Sequence, residues 1–116
     1  MLQTLLGREH FSAGLALYLQ RHDGQAATCD DFIQAMQDAS GYDLTQFLTW
    51  YSQSGTPVVT VTQQFVAATG QLTLTVQQHT AATVDQPTKL PLLLPVAVEL
   101  LFADGTQQQH LFTLTQ

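Results

Sequence analysis

The apolar positions change period at one point in the chain. Up to residue 51 they recur at helical spacing, and from residue 58 onward they alternate with Thr and Gln as in half-buried strands. Leu2, Leu5 and Leu6 before Gly7 read as the last turn of a helix that began upstream, with Gly7 as its stop. Phe11, Leu15, Tyr18 and Leu19 then fall on one face of a helix from Glu9 to Arg21, which His22-Asp23-Gly24 ends. Thr28 opens the next helix as an N-cap. Asp31 follows as a short version of the capping-box carboxylate, and Asp30 adds negative charge to the first turn. The predicted buried stripe of that helix is Phe32, Ala35, Met36 and Ala39. Ser40-Gly41-Tyr42 breaks it, and Asp43 is expected to cap a last short helix with Leu44, Phe47, Leu48 and Tyr51 on its inner face.

Ser54-Gly55-Thr56-Pro57 punctuates the switch, because Gly accepts dihedrals that other residues avoid and Pro cannot continue a helix. Beyond it, Val59 and Val61 alternate with Thr60 and Thr62, and Leu72, Leu74 and Val76 alternate with Thr73 and Thr75. Ala67-Ala68-Thr69-Gly70 makes a hairpin turn between these runs. A Pro-punctuated stretch from Asp85 to Pro91 leads to a third strand around Val96 to Phe102. Ala103-Asp104-Gly105-Thr106 then turns the chain into a fourth strand, Gln109 to Thr115. A closed immunoglobulin-type sandwich uses about seven strands, so this one is expected to be unfinished. The predicted fold class is α+β: a short helical array over residues 1–55, then an incomplete antiparallel β-sandwich of immunoglobulin-like type over 56–116. A helix that ends so near the chain start nucleates poorly by itself, so the chain is expected to be cut from a longer protein.

Composition narrows the function classes. A 45% hydrophobic fraction is that of a globular chain, but only 10% of residues are charged, well below the usual quarter. So neutral a surface suits a segment normally covered by other parts of a larger protein. The net charge of -6, with Arg8, Arg21 and Lys89 standing apart, argues against a nucleic-acid partner. The longest apolar run, Leu90 to Phe102, is cut by Pro91 and Pro95 and carries Glu99, so no membrane span is expected. No signal-peptide pattern is visible. Cys29 is the single cysteine, which excludes an internal disulfide and fits a reducing, cytoplasmic setting.

A search for chemistry returns no catalytic, cofactor-binding or metal residues. A peptidase zinc site needs two His at i and i+4 on a helix with a Glu between them. His10, His22, His79 and His110 offer no such pair, and His10 and His22 on one helix would stand ~18 Å apart. Asp30, Asp31 and Asp38 lack the alternating oxygens and central Gly of a calcium loop, and read as solvated helix carboxylates. Ser54 lacks the Gly two residues earlier that a nucleophile elbow carries. Cys29 at a helix start could have an activated thiol, but a small semi-buried residue is the plainer reading. Trp50 and Tyr51 could stack a ligand, yet Trp50 is expected to anchor the last helix to the first strand.

The segment Arg21-His22-Asp23-Gly24-Gln25-Ala26-Ala27-Thr28-Cys29-Asp30-Asp31-Phe32 resembles the matching stretch of bacterial zinc aminopeptidases of the aminopeptidase N type, which are gluzincin metallopeptidases. So do Gln34-Ala35-Met36-Gln37-Asp38-Ala39-Ser40 and the run from Asp43-Leu44 through Phe47 to Trp50-Tyr51-Ser52-Gln53-Ser54-Gly55-Thr56-Pro57. The similarity is close over residues 1 to 61 and looser in the strands, where Pro87, Lys89, Pro91 and Glu99-Leu100 keep the expected order. The resemblance implies a monozinc hydrolase that removes single N-terminal residues from peptides. Its His-Glu-x-x-His motif with a downstream Glu, its amine-holding Gly-x-Met-Glu-Asn motif and its intermediate-stabilising Tyr map onto no residue here. All are expected upstream of Met1. This segment would then be inactive alone, a junction between the end of a thermolysin-like catalytic domain and the following sandwich. Its partners would be the rest of the polypeptide and, through an open sheet edge near Leu111-Phe112-Thr113-Leu114, a second copy. The alternative is an independent binding or adhesion module, and a His-Glu-x-x-His upstream in the same reading frame would decide against it.

Overall fold

A computed structural model describes residues 1–116. The helices are α1 (Leu2–Leu6), α2 (Arg8–His22), α3 (Cys29–Ser40) and, after a 3-10 turn at Gln46–Leu48, α4 (Thr49–Ser52). Four strands follow: β1 (Pro57–Val66), β2 (Gln71–Thr80), β3 (Leu94–Leu101) and β4 (Gln107–Leu114). They form two separate antiparallel two-stranded sheets, β1 with β2 and β3 with β4. This is the predicted α+β class, with an Ig-like half that is open.

α3 forms where its caps dictate. The Thr28 hydroxyl accepts from the Asp31 N–H at 3.2 Å while the Asp31 carboxylate accepts from the Thr28 N–H at 2.9 Å, a complete capping box. Its other end stops at Gly41, whose left-handed φ of 70° lets its N–H reach the Gln37 carbonyl. Ile33, Ala35 and Met36 are its buried face, with Phe32 packed partly against the core. Ile33, which the apolar pattern omits, takes the core place predicted for Ala39, which is half-buried.

α2 packs on α3 through a different face from the one its large side chains mark. Leu15 and Leu19 are 39% and 54% exposed, while Gly14 is buried against Met36. A Cβ at position 14 would run into the Met36 Sδ and lie 3.1 Å from its Cα. The contact line is Phe11, Gly14 and Tyr18, and the Tyr18 ring meets Phe32 edge-on with centroids 5.2 Å apart. Close backbone approach, not bulk, sets the rotation of this helix.

Two expectations at the helical end need correction. Asp43 caps no helix: its carboxylate accepts from the Thr45 N–H at 2.9 Å and the Thr45 hydroxyl at 2.6 Å, a local turn before Gln46–Leu48. Tyr51 is half exposed and so leaves the inner face to Leu44 and Phe47. Both changes follow from a start in 3-10 geometry, which shifts the angular position of every later side chain.

The core joins Leu2, Leu5 and Leu6 of α1 to Ile33, Met36, Leu44, Phe47 and Leu93, with Trp50 packed alongside. Leu93 is its one member from beyond residue 57, and it precedes β3. Only 12 of 116 residues are buried, and the accessible surface of 8059 Å² exceeds the ~6200 Å² of a compact monomer of this mass. The radius of gyration, 18.0 Å, likewise exceeds the ~13 Å of a compact domain of about 100 residues. The excess lies in the strands, since every residue of β1 after Pro57 is exposed.

Candidate functional site

The residues from 90 to 93 belong to no helix or sheet, so their backbone groups need other partners. Side-chain amides supply them. Gln53 accepts from the Leu90 N–H at 2.7 Å and donates to the Leu90 carbonyl at 3.1 Å. Gln78 does the same for Leu92, at 2.9 and 2.7 Å. Gln46 donates to the Pro91 carbonyl, and Trp50 Nε1 to the Leu93 carbonyl at 2.9 Å. A carboxamide carries both an acceptor and a donor, so Gln53 and Gln78 pair with this segment as residues of a neighbouring strand would. Trp50 is therefore an anchor, but to the lead-in of β3 rather than to the first strand.

A second set of bonds surrounds Ser54. The Gln86 amide accepts from the Ser54 N–H at 2.7 Å and donates to the Ser52 carbonyl at 2.8 Å. Lys89 Nζ donates to the Ser54 carbonyl at 2.8 Å, Ser54 Oγ at 3.0 Å, Thr83 Oγ1 at 2.7 Å and Gln86 Oε1 at 3.3 Å. Hydrogen bonding from Thr83, and then Ser54, holds the Asp85 carboxyl below its ordinary range. Gly55 has φ 93°, and a Cβ there would sit 3.2 Å from Thr80 Cγ2, so glycine fits where few residues could. The seam is thus pinned on two sides by polar side chains, and no buried side-chain polar atom lacks a partner.

Ser54 beside Lys89 does not make a hydrolytic pair. Ser54 Oγ lies 3.2 Å from both the Asp85 carboxylate and the Gln86 amide oxygen, and Lys89 Nζ is shared among three oxygens besides that hydroxyl, so both side chains are engaged in holding the seam. The histidines lie apart. His10 Nδ1 is 3.1 Å from the Leu6 carbonyl, and the His22 ring sits against Tyr18. His79 is in β2, and His110 lies in a groove between the hairpins with Leu72, Leu74, Val98 and Phe112. No three His, Cys, Asp or Glu side chains form a group that could hold a metal, so this chain's donors do not fit a zinc site. Asp31 belongs to the capping box, Asp38 pairs with Arg21 at 2.6 Å between α3 and α2, and Asp30 is exposed. Cys29 is free and exposed, where a semi-buried residue was expected. Partial burial, with the nearby Cys29 as a smaller contribution, pushes the Tyr51 hydroxyl up.

Residues 1–51 match the family model of the peptidase family M1 domain, and residues 55–116 match a domain of unknown function, DUF3458, described as having an Ig-like fold. The chain belongs to peptidase family M1. The two matches meet at the seam just described. Aminopeptidase N of Escherichia coli (strain K12) is 57% identical over 105 residues, covering 90% of this chain, and that of Haemophilus influenzae is 47% identical over 112 residues, covering 95%. The chain spans only 12% and 13% of those two relatives' own lengths. A crystal structure of Legionella pneumophila aminopeptidase A in complex with aspartic acid superposes with a TM-score of 0.79 at 28% identity, over 98% of this chain and 13% of that one. This M1 segment therefore keeps its helix–sandwich arrangement in a solved relative.

The sequence marks Gln53 and Lys89 through the family resemblance but assigns no role to them, and it passes over Gln46, Gln78 and Gln86. Their signal was faint: a single lysine in a chain poor in charge, flanked by Pro87 and Pro91.

Proposed function

We propose that this chain is a structural segment of a zinc-dependent metallo-aminopeptidase, a hydrolase that removes single residues from peptide N-termini in cytoplasmic peptide catabolism. Residues 1–55 would close the thermolysin-like catalytic domain and 56–116 would begin the β-sandwich domain. The observation that carries this reading is the pair of family matches on either side of the seam, with high identity running across it. The zinc, its His-Glu-x-x-His ligands and the amine-binding motif would be supplied elsewhere in the polypeptide, since the donors here do not fit a metal site. The segment's own role is to form the wall behind that site and to fix the sandwich against it. Peptides are then the partners of the whole enzyme, and the rest of the polypeptide is the partner of this segment. Neither nucleic acid nor membrane is expected among them, given the net charge of -6.

The chain alone is expected to bind no stoichiometric zinc and to hydrolyse no aminoacyl substrate. Elemental analysis after chelator washing and release of a chromogenic aminoacyl leaving group test this, and a positive result in both would overturn it. Self-association through the sheets belongs to the same reading. β1 and β4 contain no Asp, Glu, Lys or Arg to guard their free edges. Light scattering is expected to show dimers or slow aggregation; a stable monomer at high concentration would contradict it.

A further inference from the structure

Lys89 is the single lysine of the chain, and four oxygens surround its ammonium within 3.3 Å: the Ser54 carbonyl, Ser54 Oγ, Thr83 Oγ1 and Gln86 Oε1. None of the four is a carboxylate; the Asp85 carboxylate stands one step further out, accepting from Ser54 Oγ at 3.2 Å and beyond ion-pair distance of Lys89. An ammonium has three protons for these four acceptors, so at least one proton must be shared. Neutral carbonyl and hydroxyl oxygens converging on one cation are what a potassium site uses to replace the ion's water shell. The ammonium head is close to potassium in size and charge.

We infer that Ser54, Thr83 and Gln86 form a monovalent-cation cage at the helix–sandwich seam, filled by the tethered ammonium of Lys89. The cage draws its oxygens from both sides of the seam, Ser54 from the end of the helices and Thr83 with Gln86 from the loop after β2. The oxygens already bond one another, with Ser54 Oγ 2.8 Å from Thr83 Oγ1 and donating to Gln86 Oε1 at 3.2 Å, and a cation at their centre fastens the two halves further. This inference concerns this chain's own residues and stands whether or not the parent is a peptidase.

Lys89→Ala removes the tether and leaves the cage. In the full polypeptide its melting temperature is expected to fall in choline chloride and to recover most of that loss in potassium or ammonium chloride at equal ionic strength. Lys89→Met fills the same space without charge, and its loss is expected to be the same in all three salts. Unchanged stability of Lys89→Ala, or a loss that no small cation reverses, would overturn the inference. If Lys89→Ala does not fold, the unmodified protein still decides. Acylation of Lys89, followed by peptide mass spectrometry, is expected to be several-fold slower in the folded than in the unfolded chain, and equal rates would sink the cage.

Discussion

On α3, Ile33, Ala35 and Met36 are at most 2% exposed, whereas on β1 Val61 and Phe65 stand 56% and 64% exposed. Both elements carry regular hydrophobic patterns, so pattern alone does not decide burial. α1, α2, α3 and the Leu44–Phe47 turn surround one small core and satisfy one another. Each strand has only a single neighbouring strand, and a two-stranded sheet needs another layer before its apolar face is covered. The helices gather round one core that Leu93 of the β half completes, leaving Leu15 and Leu19 outside it, while the strands leave Val59, Val61 and Phe65 largely uncovered.

The largest expected effect falls on the residue that ties the halves together. Trp50 packs on the helical core and donates to the Leu93 carbonyl, so Trp50→Ala should cost ~3–5 kcal/mol in denaturant unfolding. A loss no larger than that of a surface substitution would detach the strands from the core in this account. Next comes the contrast between the halves. Leu44→Ala, at a position with no exposure, should cost ~2–5 kcal/mol. Phe65→Ala should stay within about 0.5 kcal/mol of the parent. Equal losses would break the comparison outright.

A smaller effect sharpens it at the seam. Gln78→Ala leaves the backbone N–H and carbonyl of buried Leu92 without their partners, at a cost of ~1–3 kcal/mol. Because this loosens the lead-in to β3, faster hydrogen exchange around Leu92 should accompany it; unaltered exchange there would count against the amide pairing. The smallest effect is confined to the helices. Thr28→Ala should cost ~0.5–2 kcal/mol by removing the cap of α3. The Thr28 N–H, then the Thr28 hydroxyl, holds the Asp31 carboxyl below its ordinary range. The charged form is thus favoured in the folded chain: its contribution is present above the unfolded carboxylate pKa and fades as pH falls through the folded one. An acid melt of Asp31→Asn should therefore be shallower than that of the parent, and coincident curves would exclude the capping carboxylate from the acid response.

Much of this was legible in the chain. The Thr28–Asp31 spacing announced a cap that the structure completes, and the Ala67–Gly70 turn sits between β1 and β2 as the alternation required. The strands beyond were displaced by one or two residues. β3 begins at Leu94, ahead of Pro95, because a two-stranded sheet leaves one side of each strand unpaired and can tolerate a residue without an N–H. What stayed hidden has a common cause. Gly14 sets the α2–α3 contact by having no side chain, and a pattern of large apolar residues cannot register an absence. Gln46, Gln53, Gln78 and Gln86 act on backbone groups 14 to 69 residues away, a relation no local spacing encodes. The zinc chemistry that the family resemblance implies has no counterpart among the four histidines.

Hydrogen exchange on the 116-residue chain, at a concentration where it is monomeric, tests most directly whether order is concentrated in the helical core and thin in the strands. The α3 amides from Ile33 to Met36 should exchange slowest and those of β1 far faster. The β1 amides should then gain protection in a longer polypeptide that continues beyond Gln116. Protection of β1 and β4 equal to that of α3 in the chain by itself would contradict the account.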